Sequence, residues 1–180
     1  MAERFRSYQT RPLSEKKKLV SETGRDHSKT AKTLIIGVGN EFRGDDAVGL
    51  IVARRLAALK LPEVSVIEQS GEGADLIGAW WGAECVYLID AVSAQGLAGS
   101  TYRFEAQDEP LPAETFGVSS HALGVAIAIE MARSLGQLPP KLVVFGIEGG
   151  NFDLGNGLSA MVQQAAENVI RRLLQEIGGL

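Results

Sequence analysis

Residues Thr33–Leu56, TLIIGVGNEFRGDDAVGLIVARRL, decide the fold. The stretch opens on an apolar run, Leu34-Ile35-Ile36, of a length suited to a buried strand. It breaks at Gly37-Val38-Gly39-Asn40, where glycine admits backbone angles closed to other residues. It resumes with Asp45-Asp46 and then Val48, Ile51, Val52 and Leu56, an apolar stripe at helical spacing. Asp45 is placed as an N-cap and Asp46 in the first turn, where the helix dipole favours an acid. The order is strand, glycine loop, acidic helix start.

Such a turn often holds phosphate, but this one lacks the means. Gly37 and Gly39 meet the first two positions of G-x-G-x-x-G; the third is Phe42, and Gly44 comes two residues late. No Gly-Lys-Ser/Thr follows, and two aspartates at a helix start repel a phosphate. Two readings of the acid pair remain open: a cap with a dipole-complementing neighbour, or a carboxylate presented to a cation.

Outward from this stretch, strands and helices alternate. Val64, Val66 and Ile67 suggest a second strand, Gly71-Glu72-Gly73 a turn, and Ala74–Trp81 a short helix. Cys85-Val86-Tyr87-Leu88-Ile89 is apolar throughout, as in a strand buried on both faces, and ends on Asp90. Residues 100–105 read as a strand too close behind Asp90 for a parallel crossover, hence antiparallel. Residues 108–117 are loop. Ser119 or Ser120 caps the next helix, which carries His121 in its first turn and is apolar nearly all round, predicting burial. Leu142–Phe145 predicts another central strand, with a glycine-rich loop over 146–157 and a last helix repeating Leu158, Val162, Ala165, Val169, Leu173. The expected fold is α/β: a three-layer α/β/α sandwich on a mostly parallel five-stranded sheet with one antiparallel strand.

The 180 residues suffice for one domain with a real core, and 45% apolar with 22% charged residues is ordinary for a soluble protein. No apolar run is long enough to span a membrane. The single cysteine, Cys85, rules out an intrachain disulfide and fits a reducing, cytoplasmic setting; its apolar neighbours suggest inert packing. Charge is uneven: residues 1–32 hold nine Lys and Arg against four acids, leaving nine basic and eighteen acidic residues from 33 onward. Residues 1–32 are therefore expected to form a flexible basic extension, solvated or docked on an acidic surface, and 33–180 the folded domain.

Of two histidines, His27 and His121, only the second falls in the domain, which excludes metal sites built from several imidazoles. The expected fold brings Asp46, Asp90 and His121 to the carboxyl edge of the sheet, where open parallel sheets bind ligands. A helix start disfavours imidazolium and keeps His121 able to ligate. One imidazole and two carboxylates suit Zn, Ni, Mn or Fe ions. The alternative for His121 is a helix-start residue bonded to a loop carbonyl.

GVGNEFRGDDAVG at 37–49, LIDAV at 88–92 and SSHALG at 119–124, in that order, resemble the [NiFe] hydrogenase maturation endopeptidases. The resemblance runs from about Thr33 to the last helix, and Gly146-Ile147-Glu148-Gly149 also resembles a family pattern near the cleft. It implies an enzyme that clips a C-terminal extension from the hydrogenase large-subunit precursor after nickel insertion. Asp46, Asp90 and His121 would be the metal ligands, with nickel supplied by the substrate and no nucleotide. Catalysis would fall to Asp46 with a metal-polarised carbonyl and water, or to Asp45 as general base. The long basic N-terminus and Ser70-Gly71-Glu72-Gly73, where many members carry an aspartate-led turn, depart from the pattern. A non-catalytic nickel-binding maturation factor on the same fold is the alternative. Nucleic acid is not an expected partner.

Overall fold

The computed structural model describes residues 32–108, 110–112, 120–155 and 157–178, and of residues 120–123 the backbone alone. The basic extension expected at 1–32 lies, but for Lys32, outside these residues.

Strand β1 (Thr33–Val38) is buried at every position and enters a 3-10 turn, Gly44–Ala47, that leads directly into helix α1 (Val48–Ala58). Then come β2 (Val64–Gln69), α2 (Gly73–Ala79), β3 (Cys85–Val92), β4 (Thr101–Glu105), α3 (Ser120–Ser134), β5 (Lys141–Glu148) and α4 (Ala160–Gly178). The five strands form one sheet in the order β2-β1-β3-β5-β4. All neighbours pair parallel except β4, which runs antiparallel to β5 with Tyr102 opposite Gly146 and Phe104 opposite Val144. The expected sandwich is the observed one.

Alternation along the strands sorts side chains between two cores. Leu34, Ile36, Val86 and Leu88 face Leu76 and Trp80 of α2 and Val125 and Ile129 of α3. Ile35, Tyr87, Ile89 and Phe145 face Val52 and Leu56 of α1 and Val162, Val169 and Leu173 of α4. Full burial of each such aliphatic side chain contributes about 1.5–3 kcal/mol. Cys85 is buried here, and burial raises its thiol pKa, in keeping with inert packing.

Close approach of α1 to the sheet depends on glycines. A Cβ on Gly49 would stand 2.2 Å from the Val38 carbonyl oxygen and 2.3 Å from that of Ile89. One on Gly37 would meet the Gly49 carbonyl oxygen at 2.3 Å. The start of α1 is thereby pressed onto the ends of β1 and β3.

Three local expectations are corrected. Strand β3 runs past Asp90 to Val92, because β5 continues opposite it through Gly146, Ile147 and Glu148 rather than turning into loop. Asp45 does not cap α1: Ala47 holds that position without a side-chain hydrogen bond, since the chain is already turning as 3-10 helix. Helix α3 is not buried all round. Ile127, Met131 and Leu135 form an exposed stripe, because α2 covers one flank and the sheet another. Among the described residues no helix is long and apolar enough to cross a membrane.

Candidate active site

The loop leaving β1 is folded back on the turn that follows it. Gly39 has φ +149, and a Cβ there would lie 1.9 Å from the Asp46 carbonyl oxygen, so only glycine fits. The Asn40 amide donates to that same carbonyl at 3.3 Å, and the Asp46 amide to the Arg43 carbonyl at 3.0 Å. Asp46 is thus fixed from both sides at the carboxyl edge of the sheet, and it is 3% exposed. Beside it a groove of about 420 Å³ runs along Gly39, Asn40, Phe42, Leu50, Arg54 and Glu68.

Asp90 is the anomaly of the core. It is wholly buried within an otherwise apolar strand, and among the described residues neither carboxylate oxygen has a hydrogen-bond partner. Burial first and the negative charge of Asp46 second push its pKa up to about 8, with the adjacent Ala91 amide opposing the rise. A buried carboxylate without donors is costly unless a cation or proton compensates it. The charge of Asp46 thus acts on Asp90, so the structure brings these two of the three candidate residues near each other.

His121 is the second residue of α3, so its backbone lies in the first helical turn as expected; its side chain lies outside the described residues. Among the described residues no three His, Cys, Asp or Glu side chains form a metal-holding group. Asp46 and Asp90 supply two such donors.

Asp45, the candidate base, is held in a network of hydrogen bonds. It is fully buried and accepts four hydrogen bonds. They come from the Gly150 and Asn151 amides, both at 2.9 Å, and from the Ser159 amide and hydroxyl at 2.7 and 3.0 Å. With its lone pairs directed at these donors, the carboxylate ties the β1 turn to the loop after β5 and to the start of α4. Ser159 precedes α4, so Asp45 places its charge at the N-terminus of that helix instead of its own.

Glu148 is a second buried anchor, known before only from its place in a stretch that resembles a family pattern. Its carboxylate accepts the Ala94 amide at 2.9 Å and the Gly96 amide at 3.1 Å, and Tyr102 bonds to it as well. It holds the 93–99 loop that follows Asp90's strand. An acid at the end of an apolar run was the available signal.

Residues 50–176 match the family model for hydrogenase maturation proteases. The chain is 29% identical over 149 residues to the hydrogenase 2 maturation protease of Escherichia coli K12, covering 79% of this chain and 90% of that one. It superposes with TM-score 0.70 on a solved Escherichia coli endopeptidase, at 28% identity over 81% of this chain and 93% of the other. The [NiFe] hydrogenase maturation protease HybD of Thermococcus kodakarensis gives 0.64, at 26% identity over 79% and 97%.

Proposed function

Since the chain belongs to the hydrogenase maturation protease family and is a peptidase, we propose that it removes the C-terminal extension of a [NiFe] hydrogenase large-subunit precursor after nickel insertion. The observation that carries this reading is Asp90, a wholly buried carboxylate inside an apolar strand, coupled to Asp46 at the sheet edge.

Such a pair is unsuited to an anionic or apolar ligand and suited to a cation. Asp46, Asp90 and His121 would together hold the nickel that the precursor brings. Bound there, nickel supplies a Lewis acid close to the scissile peptide. The chain's own residues do the rest. Gly39 and Asn40 fix Asp46 in place, and the sheet fixes Asp90. Burial keeps competing water from the Asp90 carboxylate. Two carboxylates and one imidazole make a weak resting site, so the peptide and the metal must arrive together. Nickel insertion would then license the cut.

Asp46 would act on the reacting groups together with the metal, and Asp45, which accepts from four donors, would support it by position. The lone buried thiol suits a reducing compartment such as the cytoplasm. The decisive experiment incubates the full chain with nickel-loaded and nickel-free precursor and follows the extension by mass spectrometry. Shortening of the nickel-loaded form alone is expected. Equal cleavage of the nickel-free form would refute nickel-dependent recognition.

A further inference from the structure

Four large apolar side chains stand exposed on the segments around this edge: Phe42 (63%), Leu97 (83%), Leu154 (86%) and Met161 (63%). Singly, exposed apolar residues are common, but these four stand on segments that are held side by side, as an interaction surface requires. These segments are joined by contacts of their backbones. The Gly155 amide donates to the Phe42 carbonyl at 3.0 Å, and the Gly44 amide to the Gly155 carbonyl at 3.0 Å. Arg43 Nε reaches the Phe152 carbonyl at 3.1 Å. Gly150 lies against Ala98, where a Cβ would come within 2.9 Å, and Gly99 lies against Met161 in the same way, with 2.7 Å to its carbonyl oxygen. At the centre, Asp45 binds Gly150, Asn151 and Ser159. The loops after β1, β3 and β5 and the start of α4 thus form one braced platform.

The platform is continuous with the site. Asp45, its brace, is the residue next to Asp46, and the 97–99 segment hangs from Glu148 just beyond Asp90's strand. Bracing holds the apolar groups in place before any partner arrives, which lowers the ordering cost of docking. A second copy of this chain seated here would cover the cleft and shut out a protein substrate. We infer that Phe42, Leu97, Leu154 and Met161 dock an apolar segment of the protein substrate beside its scissile bond; this rests on the proposed peptidase reading.

The test uses the full chain and nickel-loaded large-subunit precursor. Binding of precursor is measured by surface plasmon resonance, cleavage by steady-state kinetics, and self-association by sedimentation equilibrium. The double variant Phe42→Ser/Leu154→Ser is compared with wild type and with Ile127→Ser, an exposed apolar residue on α3. All three positions are solvent-facing, so native circular dichroism is expected. The double variant should bind at least ten-fold more weakly and raise KM by a similar factor, with kcat within two-fold and Ile127→Ser unchanged. Weakened binding with no cleavage by any form would keep the docking surface and sink the peptidase reading. Unchanged KM and affinity, absence of precursor binding by wild type, or equal loss in Ile127→Ser would overturn the docking surface. So would self-association of wild type that disappears in the double variant, which would give the face to a second copy.

Discussion

Replacing Asp90 by asparagine should make the metal-free protein more stable near pH 8 while abolishing cleavage. In the fold this carboxyl takes up its proton at about 8, against an ordinary value of 3.8, because it is buried and faces the charge of Asp46. Between those values the folded chain keeps a proton that the unfolded chain has released. Stability therefore falls as pH rises through the window, by about 1.4 kcal/mol per pH unit, and levels off above the folded value. The accumulated cost by pH 8 is on the order of 5 kcal/mol, a large share of an ordinary domain's total. Asparagine has nearly the same shape and no charge. At pH 5, where Asp90 is protonated, the two proteins should unfold within about 1 kcal/mol of each other, the size of an ordinary surface difference. At pH 8 the variant should lead by several kcal/mol. Asp46→Asn should recover part of this, since the Asp46 charge is the second cause of the shift and burial the first. Urea unfolding of chelator-treated protein at pH 5, 6, 7 and 8 reads the effect directly. Parallel stability curves for wild type and Asp90→Asn across that range would show that Asp90 is charged and compensated in the fold, and the cation-site argument would lose its basis.

Asp46→Asn and His121→Ala should each abolish precursor shortening with circular dichroism unchanged; cleavage above about a tenth of wild type by either, a loss of less than about 1.4 kcal/mol in transition-state stabilisation, would remove that residue from the site. Asp45→Ala should lower stability by about 2–4 kcal/mol, because buried amides of Gly150, Asn151 and Ser159 lose a charged acceptor; a change under about 0.5 kcal/mol in chemical denaturation would deny it that brace. Gly49→Ala should cost at least about 2 kcal/mol, since its methyl would press on the Val38 and Ile89 carbonyls; a thermal midpoint equal to wild type would contradict the packing. The Arg55–Glu167 ion pair joins α1 to α4 on the surface, where water and salt screen it, so Glu167→Gln should leave the denaturation midpoint nearly unchanged; a clear loss that persists at high salt would contradict this.

The carboxyl-edge pair was legible because it sits on short-range patterns. A glycine loop between an apolar strand and a helix locates Asp46, and an acid inside the all-apolar β3 stands out as Asp90. Asp45 was misplaced because its partners, Gly150, Asn151 and Ser159, lie more than a hundred residues along the chain. Local propensity makes an acid at a helix start a cap, and only the tertiary fold shows the side chain turned to another helix. The extension of β5 through Glu148 was hidden in the same way. Gly146 and an acid read as loop, while their pairing with Asp90 and Val92 on one side and with Tyr102 on the other makes them strand. The exposed stripe of α3 escaped because an all-apolar helix carries no mark of which flank its neighbours leave open.

The 3-10 turn between β1 and α1 has a consequence for how this chain tolerates change. With three residues per turn, successive side chains point about 120° apart. Asp45 and Asp46 can therefore look in unlike directions, one into the body of the protein and one to the sheet edge. Both ends of the turn are pinned, at Gly39 by the Asp46 carbonyl and at Gly49 by the strand carbonyls. Surface connections elsewhere absorb added or missing residues readily. Here a single inserted residue would rotate both aspartates by about 120°, so that at most one would take the other's direction and the other would turn to a third. Residues 37–49 behave as a cassette of fixed length: transplantable whole onto another sheet edge of the same kind, and intolerant of any change in count.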